Sequence, residues 1–359
     1  MASAGATALK GQTFHPDYLD GNLYLKLEDT TTVNLAPYPF NIPALNLIMT
    51  AFGVDTIYRP FQSGHPDLQN IYRLEFTSIL GTDNLIAQLG LLGFVDFAEK
   101  VPLIRTVGTA TLPNDLQLSQ WGLTKIQAEM AWTISQGSST VKVAIVDNAE
   151  RITHEDLGSV IWTNPNEVPN NFFDDDLNGY PDDAHGFDVA DFDANVNPPT
   201  GITGWDHGTH CAGIAGAATN NGVGIASIGY GISIIPVKAA NNAAGGNTLA
   251  KAFEGVDYAR AAGADVISMS WGSKGTSAIG DLILSLASNQ GIVLVAAAGN
   301  NGDSILFYPA ANPLCIAVGS TDINDLRSPF SNFGSYVDVM APGSDIYSCL
   351  AGSDNDYGN

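Results

Sequence analysis

The chain has 359 residues, of which 37 are Asp or Glu and 14 are Lys or Arg, so its formal net charge is -23. A surface this acidic repels nucleic acid and anionic lipid, which argues against proteins that work by binding either. The sequence contains no apolar run of transmembrane length. These features predict a soluble protein, long enough for two domains, with no nucleic-acid partner and no membrane partner.

The N-terminal part of the chain predicts a small α+β domain. Residues 1–20 show no periodic pattern and are expected to form a flexible N-terminus. In residues 21–106, stretches that alternate apolar and polar side chains flank stretches with helical periodicity. The order is strand, helix, strands, helix, strand, as in ferredoxin-like domains. The apolar markers of these elements are Leu23, Leu25, Leu27, Leu45, Ile48, Met49, Phe52, Tyr72, Leu74, Phe76, Leu85 and Leu89.

From residue 141 onward, near-continuous apolar strands alternate with helices. Strands of that kind are buried on both faces, so the pattern predicts an α/β domain whose parallel sheet is flanked by helices. In such a sheet, ligands bind in a crevice beyond the carboxyl ends of the strands. The predicted strands end near Asp147, Lys238, Trp271, Gly299, Ser320 and Ala341.

Three residues could carry acyl-transfer chemistry, and two of them, Asp147 and Asn300, lie at such strand ends. His207 stands in a run of glycines and small residues, 206–213, that fits a turn into a tightly packed helix, and its imidazole could act as a base. Asp147 could fix the tautomer of that imidazole, and Asn300 could donate its amide to a developing oxyanion. Each residue also has a structural interpretation: a packed histidine, a helix-capping aspartate and an asparagine in a turn.

Taken together, Asp147, His207 and Asn300 resemble the subtilisin-like serine endopeptidases, which use Asp, His and Ser in that order and an oxyanion-hole Asn. The resemblance covers residues from about 113 to 359. It implies hydrolysis of peptide bonds in protein or peptide substrates. It departs from the family after Asp147, where Asn148 and Ala149 replace the usual Ser-Gly or Thr-Gly. It implies substrate contacts through Ser270, Trp271, Gly272, Gly246, Ala297, Ala298 and Gly299.

The resemblance also implies a division of the chain. Residues 21–106 would be a propeptide that inhibits the peptidase intramolecularly, 107–113 a processing linker, and 114–359 the subtilisin-like peptidase domain. Maturation would cleave between Arg105 and Asn114. An ordinary accessory domain is the alternative interpretation of the N-terminal part. Secretion is implied by the family alone, because residues 1–5 show no signal-peptide pattern.

The family's nucleophile motif, of the Gly-Thr-Ser-Met-Ala type, does not occur in the 359 residues. Ser348 and Ser353 lack its neighbours. The expectation is therefore a C-terminally incomplete precursor, inactive by itself, whose serine segment would follow Asn359. Two alternatives stay open: a split enzyme whose second chain carries the serine, and a non-catalytic peptide-binding pseudoprotease.

Acidic residues between Asp147 and His207 suggest a structural calcium ion. Residues 174–183 place oxygen ligands at alternating positions with a glycine at the sixth, like the start of an EF-hand loop. His185 stands where that loop has its final glutamate, and a solvated acidic loop is the alternative. Asp156 matches a calcium ligand of some relatives, although its companion loop, 219–224, looks short. The predicted ligands are Asp174, Asp176, Asn178 and Asp182.

The three cysteines are an odd number without Cys-x-x-Cys spacing, which argues against a zinc or redox site. Cys211 lies among small residues close to His207 in the sequence. It is expected to be a buried packing residue and not a nucleophile.

Overall fold

A computed structural model describes residues 18–28, 42–76, 81–102 and 112–359. The chain divides into two compact units, Met1–Thr106 and Val107–Asn359. Most of the predicted flexible N-terminus and of the predicted processing linker lies outside the described residues. Within the described ranges, none of the helices combines the length and apolarity that a membrane span requires.

In its described ranges, the first unit has a four-stranded antiparallel sheet and two α-helices, in the strand order β2-β3-β1-β4. Its apolar side chains form a separate core, in which Leu23, Leu25 and Leu74 are fully buried. The predicted ferredoxin-like α+β order is thus confirmed, with β1 beginning earlier than expected. The elements are β1 (Tyr18–Leu27), α1 (Pro43–Ala51), β2 (Val54–Tyr58), β3 (Ile71–Phe76), α2 (Thr82–Leu89) and β4 (Val95–Pro102).

The second unit is built on a seven-stranded parallel sheet with the order β11-β10-β9-β8-β5-β7-β6, which confirms the predicted α/β class. Two short helices precede the sheet, and a two-stranded antiparallel ribbon follows it. The elements are α3 (Trp121–Lys125), α4 (Ala128–Trp132), β5 (Lys142–Asp147), β6 (Phe187–Asp188), α5 (His207–Gly216), β7 (Ser233–Lys238), α6 (Ala252–Ala261), β8 (Val266–Met269), α7 (Ala278–Asn289), β9 (Val293–Ala297), β10 (Cys315–Thr321), β11 (Val339–Pro342), β12 (Ser348–Cys349) and β13 (Tyr357–Gly358).

Alternating residues of β5 pack into cores on opposite faces of the sheet. Ala144 and Val146 belong to the core that contains residues of α6 and α7. Ile145 belongs to a second core, which includes Ala212 of α5. Because both faces are covered, β5 needs apolar side chains in both directions, and its carboxyl end becomes a place where polar groups can meet.

Candidate active site

Strand β5 and helix α5 together place an aspartate against a histidine. Asp147 is the last residue of β5 and is 2% exposed, while His207 is the first residue of α5 and has a side chain 57% exposed. His207 Nδ1 lies 2.8 Å from Asp147 Oδ1. Since a carboxylate can only accept, Nδ1 carries the proton and Nε2 is left free to act as a base. This hydrogen bond raises the pKa of His207 above its ordinary value, and burial opposes the rise.

The close approach of α5 to β5 depends on Gly208. A Cβ atom at this position would lie 2.4 Å from the carbonyl oxygen of Ala149 and 3.0 Å from Cβ of Asp147. Asn148 completes the junction, because its Oδ1 accepts the backbone N–H groups of Gly208 at 2.9 Å and Ala149 at 2.8 Å. The departure from the family pattern at Asn148 therefore gives an asparagine that holds the start of α5 in place.

Asn300 lies across the same cleft, in the turn that follows β9. Gly299 has a φ of 104°, and a Cβ there would lie 2.5 Å from Nδ2 of Asn332. Asn332 is fully buried, donates from Nδ2 to the carbonyl of Ala298 at 2.9 Å and accepts the N–H of Asn301 at 2.8 Å. Asn332 thus fixes the turn that presents Asn300. The sequence interpretation missed this residue because a lone asparagine in a loop gives no signal of burial.

The structure brings most of the predicted substrate-contact residues to this cleft. Trp271 is anchored by a hydrogen bond from Nε1 to the carbonyl oxygen of Val146 at 2.8 Å. Ala298 is the exception, since it is 1% exposed and lines a neighbouring cavity. The predicted residues that line the cleft are Asp147, His207, Gly246, Ser270, Trp271, Gly272, Ala297, Gly299 and Asn300.

A thiol lies close to the Asp–His pair. The ligand atoms of Asp147, His207 and Cys211 all lie within 4.8 Å of one another. Burial raises the pKa of Cys211, so the group remains a neutral thiol, and its Sγ lies 3.5 Å from Oγ of Ser270. All three cysteines are free. Cys211 is half-buried and not fully buried as predicted, but its neutral thiol fits the predicted packing role.

A buried ion pair lies next to Asp147 on the neighbouring strand. Lys238 pairs with Asp147 in the β5–β7 register, yet its ammonium group contacts Asp188 and lies 3.4 Å from Asp191. Lys238 and Asp188 are both fully buried, and Nζ lies 5.7 Å from the ring centre of Trp205. The one signal in the sequence is a lysine at the end of an otherwise apolar strand.

The acidic insertion brings together a different set of carboxylates from the predicted one. Oxygens of Glu167, Asp176 and Asp183 lie within 4.8 Å of one another. Asp174 instead accepts the N–H of Gly179 at 2.8 Å, and Asp182 accepts the N–H groups of residues 171 and 172 at 2.9 Å. Both of these carboxylates therefore shape the loop. The fourth predicted ligand, Asn178, donates from Nδ2 to carboxylates of the cluster at 3.1 and 3.3 Å.

A second pair of acidic side chains is formed by Asp115 and Asp156, of which Asp156 is fully buried. Its Oδ1 accepts from Nδ2 of Asn221 at 2.8 Å, and its Oδ2 accepts the N–H of Ile225 at 2.8 Å. Asp115 accepts the N–H of Asn221 at 2.7 Å through Oδ2, while its Oδ1 is buried without a hydrogen-bond partner among the described residues. The loop predicted to be too short thus does reach Asp156.

Comparison with known proteins places this geometry in a family. A family model described as the subtilase family matches residues 138–358. The chain is 42% identical to thermitase of Thermoactinomyces vulgaris over 239 residues, which cover 66% of this chain and 75% of thermitase. It is 35% identical to a thermophilic serine proteinase of Bacillus sp. strain AK1, covering 72% of this chain and 57% of that protein.

A third relative is the halolysin-like extracellular serine protease Nep of Natrialba magadii, which is 32% identical over 70% of this chain and 43% of Nep. The chain thus spans three quarters of thermitase but about half the length of the other two relatives. The family match covers more than half of the chain and contains Asp147, His207 and Asn300. The chain belongs to the subtilase family of serine peptidases.

Proposed function

We propose that this chain carries the base, the orienting carboxylate and the oxyanion donor of a serine endopeptidase precursor. The observation that carries the proposal is the 2.8 Å contact between His207 Nδ1 and Asp147 Oδ1. Both residues line the same cleft as Asn300. His207 would take the hydroxyl proton of a serine through Nε2 and return it to the leaving amine. Asp147 would stabilise the imidazolium, and Asn300 would donate to the oxyanion.

The nucleophile of this proposal is a serine outside the 359 residues. The sequence contains no Gly-Thr-Ser-Met-Ala type motif. Among the described residues, His207 makes one side-chain hydrogen bond, to Asp147, and no hydroxyl group hydrogen-bonds to Nε2. The chain by itself would then be inactive, and the serine would come from a following segment or from a second chain.

The substrate class we propose is an extended polypeptide. Residues 270–272 and Gly246 line the cleft and would form its two opposite rims. A substrate strand that pairs with a backbone rim is recognised through its main chain, so the sequence preference would be broad. Small side chains such as Ala297 leave room in the primary pocket, which favours a large uncharged residue before the cleaved bond.

The first unit would serve as an intramolecular inhibitor, the propeptide of this enzyme. Support comes from its separate buried core and its antiparallel sheet, which are independent of the peptidase sheet. Cleavage between Arg105 and Asn114 would release it, and residues 105–111 of that stretch lie outside the described residues. The word extracellular in the name of the relative Nep supports secretion of the mature enzyme.

Calcium would be the structural cofactor. The donor chemistry fits, since Glu167, Asp176 and Asp183 present only carboxylate oxygens, the ligands that calcium prefers. The partnerless Oδ1 of Asp115 beside Asp156 fits a second ion in the same way. A bound ion would neutralise the buried negative charge and rigidify the loops on either side of α5.

A fluorophosphonate probe followed by intact-mass spectrometry tests the proposal. We expect no labelling of the 359-residue chain, and labelling of one serine when the chain is produced together with the polypeptide encoded after Asn359. His207→Ala in that longer product should abolish labelling. Labelling of any serine within the 359 residues would overturn our assignment of the nucleophile. Peptide binding by a longer product that has no reactive serine would favour the pseudoprotease instead.

A further inference from the structure

Glu150, three residues after Asp147, is a fully buried carboxyl group to which the proposed mechanism assigns no role. Its backbone N–H donates to the carbonyl of Val196 at 3.0 Å. Neither of its carboxyl oxygens has a hydrogen-bond partner among the described residues. Oδ2 of Asp147 is also buried without a hydrogen-bond partner among the described residues. Asp147 and Glu150 together thus have three buried carboxyl oxygens without a hydrogen-bond partner among the described residues.

Gly208 shows that these two acids lie close together. A Cβ atom built on Gly208 would lie 3.0 Å from Oε1 of Glu150 and 3.0 Å from Cβ of Asp147, so both side chains pack against the start of α5. Oδ1 of Asp147 already accepts from His207 at 2.8 Å and from the N–H of Asn148 at 2.7 Å. Oδ2 is therefore the oxygen that remains for a further donor.

The charges around Glu150 oppose its ionisation. The charged groups that act on it are Asp147, Lys238 and Asp188. Lys238 is the one cation among them, and its ammonium group is already shared by Asp188 and Asp191. Burial raises the pKa of Glu150 well above its ordinary value, and the negative charge of Asp147 raises it further. A buried carboxyl group without a counter-ion keeps its proton.

We propose that Glu150 is a positioning residue for the Asp147–His207 pair, a neutral carboxylic acid whose O–H donates toward Oδ2 of Asp147 through a bound water molecule. The assignment of Asp147 and His207 as a catalytic pair, which Glu150 would position, rests on the proposed endopeptidase function. The donated hydrogen bond stabilises Asp147 as an anion and fixes the plane of its carboxylate. It also limits the proton affinity of His207, because part of the charge of Asp147 is already stabilised.

Two variants of the full 359-residue chain test whether Glu150 acts as a hydrogen-bond donor or as a negative charge. Glu150→Gln keeps a donor of similar size, and Glu150→Leu removes it. The pKa of His207 is measured by NMR titration of the imidazole, with His210 on the same helix as an internal reference. We expect Gln to leave the pKa of His207 unchanged. Leu should raise it by about one unit, since one hydrogen bond to an anion changes proton affinity roughly tenfold.

Infrared difference spectra give a second measurement that does not depend on the leucine variant folding. At neutral pH, we expect the carbonyl band of a protonated carboxylic acid in the original chain and its loss in Glu150→Gln. Absence of that band, or a fall in the pKa of His207 in both variants, would show that Glu150 is an anion and overturn the proposal. An unchanged pKa of His207 in Glu150→Leu would also overturn it. Neither readout needs a nucleophile, so a failed endopeptidase assignment would remain distinguishable.

Discussion

At the scale of single residues, the candidate active site pairs a buried aspartate with an exposed histidine. Asp147 is buried, whereas the side chain of His207 is 57% exposed and lines the cleft. The buried partner supplies a fixed charge, and the exposed partner can exchange protons with a substrate and with water. The hydrogen bond between them raises the pKa of His207, which sets the pH at which the base becomes available.

Asp147→Asn should lower the pKa of His207, because the amide removes the charge that stabilises the imidazolium. His207 must be neutral to accept a proton, so activity is lost as pH falls through its pKa. In the enzyme with its nucleophile, the acid limb of kcat/KM should therefore move to lower pH. The value of kcat should fall about 10⁴-fold, as happens when a serine peptidase loses this carboxylate.

NMR titration of His207 and the pH dependence of kcat/KM check this prediction. His210 serves as the control, because burial lowers its pKa and the backbone carbonyl of Ile346 is its partner at 2.9 Å. Its titration should shift much less than that of His207 in Asp147→Asn, because burial is the larger influence on the pKa of His210 and the charge of His207 a smaller one. A pKa of His207 that stays constant or rises would contradict the charge interaction inferred from the structure.

At the scale of elements, the geometry of the candidate site is the geometry of one junction, where the carboxyl end of β5 meets the first turn of α5. Three features define this junction. Gly208 has no side chain, the amide of Asn148 accepts the N–H of Gly208, and His207 hydrogen-bonds to Asp147. Because Asp147 belongs to the strand and His207 to the helix, any increase in their separation weakens the pair directly. Packing and chemistry are therefore coupled at this point.

Gly208→Ala should destabilise the protein and disturb the pair at once. The new Cβ would lie 2.4 Å from the carbonyl oxygen of Ala149, a backbone atom that cannot move alone. We expect a loss of about 1–3 kcal/mol in the free energy of unfolding, typical of overpacking in a filled interior. The downfield proton resonance of His207 Nδ1 should shift or broaden as the hydrogen bond lengthens.

Urea unfolding and proton NMR measure these effects. Gly275→Ala is the matched control, because the nearest atom to its new Cβ is 3.7 Å away, an ordinary contact. Both variants add one methyl group to the second unit, so their difference isolates the crowding. Equal stability of the two variants would show that the junction tolerates a wider separation than the structure indicates.

At the scale of the whole molecule, the sequence predicted what periodicity and strand ends can reveal. The apolar runs before Asp147 and Asn300 indicated a parallel sheet and a shared crevice, and the structure has both. The ribbon β12–β13 was missed, because two-residue strands leave no periodic pattern. Glu150 was missed for another reason: a buried acid and a surface acid look alike in a sequence, and only the fold shows which neighbours surround it.

The acidic insertion illustrates the same limit for metal ligands. Regular spacing in residues 174–183 suggested that alternate side chains would converge, as in an EF-hand loop. In the structure, Asp174, Asp182 and Glu167 all accept backbone N–H groups of the loop, and Glu167 approaches from outside that stretch to lie beside Asp176 and Asp183. Spacing alone cannot tell the carboxylates that converge in space from those that do not. This distinction determines which variants should respond to calcium.

Calcium should therefore stabilise the original chain far more than a variant that carries Glu167→Gln and Asp183→Asn. Saturating calcium should raise the Tm of the original chain over its value in chelator. The expected gain is about 2.7 kcal/mol when calcium stands a hundredfold above its Kd. Asp96→Asn, at an exposed position in the first unit, is a control for loss of negative charge. A rise in Tm that persists in the double variant would contradict this site and point to the Asp115 and Asp156 group, where Asp156→Asn should then remove it.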